Sequence, residues 1–179
     1  MLRRRLARAA AREDGYTLIE LVSVLIILTT VLTSLTAVFV SGARAELELN
    51  RRFEAQQAAR VAADRMRREV HCASGVTFTN AASITVTLPG HCPTAVGGAT
   101  TTVVYATESV STDRYRLKRG TVAIADHLTS ANVFSYVAPA DDTLGRLHLD
   151  FRVNVNPTES WKTWHLETDV VLRNTLRNP

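Results

Sequence analysis

The sequence predicts an α+β protein: a long N-terminal helix, its first half in lipid, packed on an antiparallel β-sheet body. Three observations carry this expectation. Residues 16–40 are an almost unbroken run of apolar, Ser and Thr residues, broken by one carboxylate, Glu20. No proline occurs in residues 1–88. Beyond Cys72 the apolar spacing changes from the three-and-four of a helix to the alternation of strands.

Residues 1–15 read as a basic leader. Arg3, Arg4, Arg5, Arg8 and Arg12 face only Glu13 and Asp14 there, so the leader holds three of the net +4 charges of the 179-residue chain. The remainder is nearly neutral, and its composition makes no case for nucleic-acid binding. Residues 16–40 span about 37 Å as a helix at ~1.5 Å per residue. That exceeds the ~30 Å hydrocarbon core of a bilayer. The basic leader predicts a cytoplasmic N-terminus with the rest outside. A cleaved secretory signal fits badly, because its apolar core is ~7–15 residues followed by a small-residue cleavage site.

The helical signal continues through residues 41–72. The stretch "ARAELELNRRFEAQQAARVAADRMRREVH" is rich in good helix formers. Ala55, Ala59, Ala62, Met66 and Val70 recur every three or four residues and form one narrow stripe, with Arg60, Asp64 and Arg67 on the other side. One continuous helix over residues 16–71 is expected, with Gly42 as its weak point, since glycine costs about 1 kcal/mol inside a helix.

Residues 73–179 read as a β-rich extracytoplasmic domain. "GVTFTN", "SITVTL", "TTVVYAT", "RYRLKRG", "TVAIADHL", "NVFSYVAP", "RLHLDFRVNV" and "WHLETDVVLRN" are short, β-branched or aromatic, and often alternating. "LPGHCPTAVGGA", "KRGT" and "APADDTLG" are the loop signals between them. Eight strands follow, one face packing on the Ala/Met stripe.

Cys72 and Cys92 fit a disulfide if the body lies outside the cytoplasm. It would close a loop of about 20 residues and contribute roughly 3 kcal/mol in the chain-entropy model. Free thiols are an alternative. So is a zinc site from the pairs His71-Cys72 and His91-Cys92, although adjacent ligands lack the usual spacing.

A lone carboxylate within lipid costs about 2.5–3.5 kcal/mol on insertion scales. Glu20 has no basic residue within reach in its own segment: Arg12 lies eight positions back and Arg44 24 ahead. Its partner comes from another chain, or it sits near the interface as a protonated acid. A cut after Gly15 would create an α-amino group at Tyr16, four residues from Glu20. The amine of one molecule would then pair with Glu20 of a neighbour and fix axial register between them.

The segment "DGYTLIELVSVLIIL", following a short basic leader, resembles the cleavage and methylation segment of type IV prepilins and type II secretion pseudopilins. The resemblance covers about residues 10–40. It implies a pilin-like fold, peptidase cleavage between Gly15 and Tyr16, N-methylation of Tyr16 by the same enzyme, an assembly role for Glu20, and packing into a fibre with other pilin subunits. It also implies a cytoplasmic-membrane precursor drawn out by an assembly platform and motor. The family more often has Phe where Tyr16 stands, and major pilins commonly carry a proline in the outer part of the apolar helix, which is lacking here. "QQAARVAADRMRREVHCASGV", "IADHLTSANVFSY" and "LETDVVLRN" are similar to J-type minor pseudopilins and W-type minor pilins. A minor subunit is therefore expected. The alternatives are a major pilin, a DNA-binding minor pilin of an uptake system, or a signal-anchored extracytoplasmic protein that keeps its leader.

Other candidate residues have simpler readings. Asp141 and Asp142 fit a turn better than a calcium site. Trp161 and Trp164, three apart, do not share a strand face; one is expected in the core and the other at an edge. Arg114, Arg116 and Lys118 alternate along one strand face and read as a solvated surface, with DNA phosphates as the sharper alternative. No nucleophile elbow, P-loop or paired metal motif is present, and no enzymatic activity, cofactor or metal is expected.

Overall fold

The computed structural model describes residues 17–95, 97–140, 143–156 and 158–173. A single α-helix, α1 (Leu18–Cys72), precedes eight strands. They are β1 (Gly75–Asn80), β2 (Ser83–Leu88), β3 (Thr101–Ser111), β4 (Arg114–Arg119), β5 (Val122–Leu128), β6 (Phe134–Val137), β7 (Arg146–Val153) and β8 (Trp164–Val171). A 3-10 turn, Ser160–Lys162, leads into β8. The protein is thus α+β, with an antiparallel sheet. The helix runs through Gly42 without a break. The chain divides into two compact units at the Leu47–Glu48 bond, inside α1.

In the second unit, five strands follow one another as an antiparallel meander, β1-β2-β3-β4-β5. The turns use the chemistry that their positions demand. At β1–β2 the Asn80 side chain accepts a 2.8 Å hydrogen bond from the Ala82 amide, closing an Asx-type turn. At β4–β5 Gly120 takes φ +56°, a conformation open to glycine at little cost. At β3–β4 Asp113 takes φ +54°, which Asp tolerates better than most residues.

The meander ends in a junction. β8 pairs with β7 along its whole length, from Arg146↔Val171 to Val153↔Trp164. β5 and β6 therefore share the opposite edge of β7, β6 against residues 146–149 and β5 through the single pair Leu128↔Val153. Along β7, Leu147, Leu149, Phe151 and Val153 are buried while the residues between them face outward.

The core joins these strands to the stripe on α1. Ala55, Ala59, Ala62, Ala63, Met66 and Val70 belong to one buried cluster with Ile84, Val86, Leu88, Tyr105, Leu117, Leu128 and Phe151. Small side chains along a helix permit close approach of the sheet. The long 89–100 loop between β2 and β3 folds back on itself: a Cβ at Gly90 would lie 1.7 Å from the Gly98 carbonyl oxygen. Only glycine fits there. That loop carries Cys92, which is bonded to Cys72 with the Cα atoms 5.8 Å apart. The disulfide thus ties the last residue of α1 to the loop, and the free-thiol and zinc readings of the two cysteines fall away.

Candidate functional site

The first unit is dominated by the apolar part of α1. Its most apolar 18-residue window has a mean hydropathy of 2.3 and no buried residue. The helix is long and apolar enough to cross a membrane. Large apolar side chains stand bare along it, among them Leu18, Ile19, Ile27, Leu35, Val38 and Phe39. The hydroxyl residues among them do not spoil that surface. Ser23, Thr29, Thr30, Thr33, Ser34, Thr36 and Ser41 each donate to a backbone carbonyl three or four positions earlier, at 2.7–3.0 Å. Each hydroxyl hydrogen is thereby satisfied within the helix, as a non-aqueous setting requires.

Glu20 lies in the first turn of this helix. Its amide bonds the Thr17 carbonyl at 3.0 Å, so its backbone position is fixed by the helix start. A carboxylate there also meets the positive end of the helix dipole. It is exposed and forms no ion pair among the described residues. It is the sole ionisable residue in residues 17–43. Gly15 and Tyr16 lie outside the described residues, as do Asp141 and Asp142.

The second unit holds a polar site that the apolar stripe did not announce. Glu69, on the buried face of α1, is 1% exposed. Its Oε2 accepts a hydrogen bond from the Tyr105 hydroxyl at 2.5 Å. Arg119 Nε donates to both carboxylate oxygens, at 3.1 and 3.2 Å, and Arg65 Nε approaches Oε1 at 3.3 Å. Tyr105 and Arg119 are direct cross-strand partners on β3 and β4, so the sheet presents a phenol and a guanidinium side by side to one helical carboxylate. Burial opposes ionisation of Glu69, but the Tyr105 hydroxyl and then Arg119 outweigh it and hold the carboxyl below its ordinary range. Burial, then Glu69, push the Tyr105 phenol upward. The signal was present in sequence: Ala59, Ala62, Met66, Glu69 and Ala73 continue the three-four spacing, and a glutamate on such a stripe demands partners.

Other contacts fasten α1 to β8 and its approach. Arg67 donates to Thr168 Oγ1 at 2.9 Å. His71 Nδ1 lies 2.9 Å from the Val171 carbonyl. Arg60 sits 5.2 Å from the ring centre of Trp164, a cation–π contact. Lys162 bonds Glu48 at 2.9 Å and also pairs with Glu159. Trp164 is half-buried, whereas Trp161 is exposed with Lys162 over its ring. The two tryptophans therefore do not form a joint patch.

The basic strand β4 is met by carboxylates. Arg114 and Arg116 approach Asp126 at 3.6 and 3.1 Å, and Lys118 approaches Glu108 at 3.3 Å. A β-bulge makes this possible. Tyr115 pairs with Leu128 but Leu117 with Ala125, so β5 has one residue extra there, and His127 takes φ +63°. Sequence reasoning missed the bulge, because no glycine or asparagine marks it.

No family model matches the chain, and no curated protein or solved structure matches it either.

Proposed function

We propose that the chain is a minor subunit of a type IV pilus-like or type II secretion pseudopilus fibre. The observation that carries this reading is the position of Glu20, a lone carboxylate in the first turn of an exposed apolar helix. In this scheme the precursor sits in the bacterial cytoplasmic membrane with residues 1–15 inside. A prepilin peptidase cuts between Gly15 and Tyr16 and methylates the new amine. Glu20 of this chain or a neighbour pairs with an adjacent Tyr16 amine, and a platform and motor draw the subunit outward. Apolar contacts with lipid are exchanged for contacts with neighbouring helices. The lone charge, unfavourable in lipid, becomes an assembly contact.

The second unit supports the same reading. An oxidised Cys72–Cys92 pair fits an extracytoplasmic body. The DNA-uptake alternative gains no support from the geometry, since Arg114, Arg116 and Lys118 are paired with carboxylates on the sheet itself.

N-terminal sequencing and intact mass of the protein from its native membrane or sheared surface fraction test the proposal. An N-methylated Tyr16 terminus is expected. A chain that still begins at Met1, in cells whose other prepilins are cleaved, overturns the proposal in favour of a signal-anchored protein.

A further inference from the structure

We propose that the outer face of the β7–β8 pair holds a zinc-class divalent metal site made by Asp150, His165 and Glu167. The site goes beyond the fibre reading and does not depend on it.

The register creates it. Asp150 on β7 stands directly opposite Glu167 on β8, and His165 is two residues from Glu167 on the same outward face. Like charges directly opposite across a strand pair are destabilising. Here the two carboxylates share one imidazole nitrogen. His165 Nε2 lies 2.5 Å from Asp150 Oδ1 and 3.2 Å from Glu167 Oε1. The three ligand atoms all lie within 4.8 Å of one another. Tetrahedral ligand atoms bound to zinc at ~2.0–2.2 Å sit about 3.4 Å apart, so the two contacts to His165 need to lengthen by less than about 1 Å to admit an ion. Three donors on one side leave the outward side free for water or for a donor from another molecule.

Neighbouring groups support the arrangement. Arg152 donates from Nη2 to Asp150 Oδ2 at 3.0 Å, and from Nε to Oδ2 at 3.2 Å and Oδ1 at 3.4 Å. Its nearer contacts are to the oxygen turned away from His165, and they orient the carboxylate as an outer partner orients a metal ligand. Along the same ladder His148 is already paired with Asp169 at 2.8 Å and stands outside the cluster. One imidazole with two carboxylates selects borderline cations such as Zn²⁺, rather than Ca²⁺, which takes six or more oxygens.

The experiment is calorimetric titration of the chelator-stripped full chain in detergent micelles with ZnCl₂. One equivalent is expected to bind, with a hundredfold excess of CaCl₂ unable to compete. His165→Ala and Glu167→Gln are each expected to weaken binding at least about tenfold, the loss that removal of even an outer partner causes. His148→Ala and His91→Ala are expected to leave it unchanged. All four positions are partly or fully exposed, and unaltered thermal melts would confirm that the variants fold. Absence of stoichiometric binding to the wild-type chain overturns the proposal, as does equal binding by His165→Ala. The cluster would then be a surface ion pair only.

Discussion

Glu69 and Tyr105, 36 residues apart in sequence, meet through a 2.5 Å hydrogen bond that fastens α1 to the middle of the sheet. Arg119 completes the arrangement from the next strand. Removing one member of a buried, hydrogen-bonded charge pair typically costs about 3–5 kcal/mol, because the other is left uncompensated. Glu69→Ala should therefore destabilise the body by that order. Tyr105→Phe, which leaves Arg119 in place, should cost about 1–3 kcal/mol. Denaturant unfolding followed by near-ultraviolet circular dichroism measures both. A Glu69→Ala loss below about 1 kcal/mol would place the group in water rather than in the core.

Acid should weaken the body in two stages. Burial, then the Arg114 guanidinium, hold the His127 imidazole below its ordinary 6.5, with Arg51 and Arg116 acting in the same direction and Asp126 against them. A group with a lowered folded pKa stabilises above its unfolded value and loses that contribution as pH falls through the folded one. The first decline accordingly starts below about pH 6.5. Glu69 is also lowered. So is Asp126: burial opposes its ionisation, but the His127 amide and Arg116 outweigh it. The second decline lies below about pH 4.5. Unfolding free energy measured from pH 8 to pH 3 should show both stages, and His127→Gln should remove the first alone. A single decline below pH 4.5 in the wild-type chain would show that His127 does not contribute.

Reduction of Cys72–Cys92 should cost the body roughly 3 kcal/mol, the loop-closure term for a loop of about 20 residues. The double variant Cys72→Ser, Cys92→Ser should match the reduced wild type in the same denaturant assay. If the two differ by more than about 1 kcal/mol, the serines have disturbed packing in their own right.

If the chain is the proposed fibre subunit, Glu20→Ala should separate assembly from folding. The residue is not part of the core cluster, so the melting curve of the body should be unchanged, while on the fibre-subunit proposal the variant's share of the sheared surface fraction should fall to background. Normal incorporation of Glu20→Ala into fibres would remove the assembly role. Retained Tyr16 processing in that variant would show that cleavage itself does not need the carboxylate.

The elements legible in the sequence were those whose local chemistry agrees with their global place. β1 and β2 fall where "GVTFTN" and "SITVTL" put them, and the helix ends at Cys72, three residues before β1 begins. β3 extends beyond its apolar core, because Glu108, Ser109 and Ser111 are held by pairing with β4 rather than by burial. The His127 bulge left no mark, since its positive φ falls on a residue that does not advertise a turn. Glu69 was missed as a site, because its partners lie 36 and 50 positions away. The insertion of β7 between β8 on one edge and β5 with β6 on the other is a long-range choice that no local window contains. Glu20 stood out for the opposite reason: it contradicts everything around it.

The attachment of α1 to β8 also sets an order of events. Arg60, Arg67 and His71 reach Trp164, Thr168 and Val171, and these contacts close intervals of about 100 residues. Such distant pairings form slowly, because chain entropy is lost before contacts reward it. A nascent body lacking β8 has no partner for one edge of β7, and the helix lacks its three anchors there. The side of α1 that meets β8 is made early yet secured late. During synthesis Arg60, Arg67 and His71 wait for their partners until residues 164–171 have emerged. That delay is the interval in which a chaperone or a neighbouring copy would compete for this side of the helix.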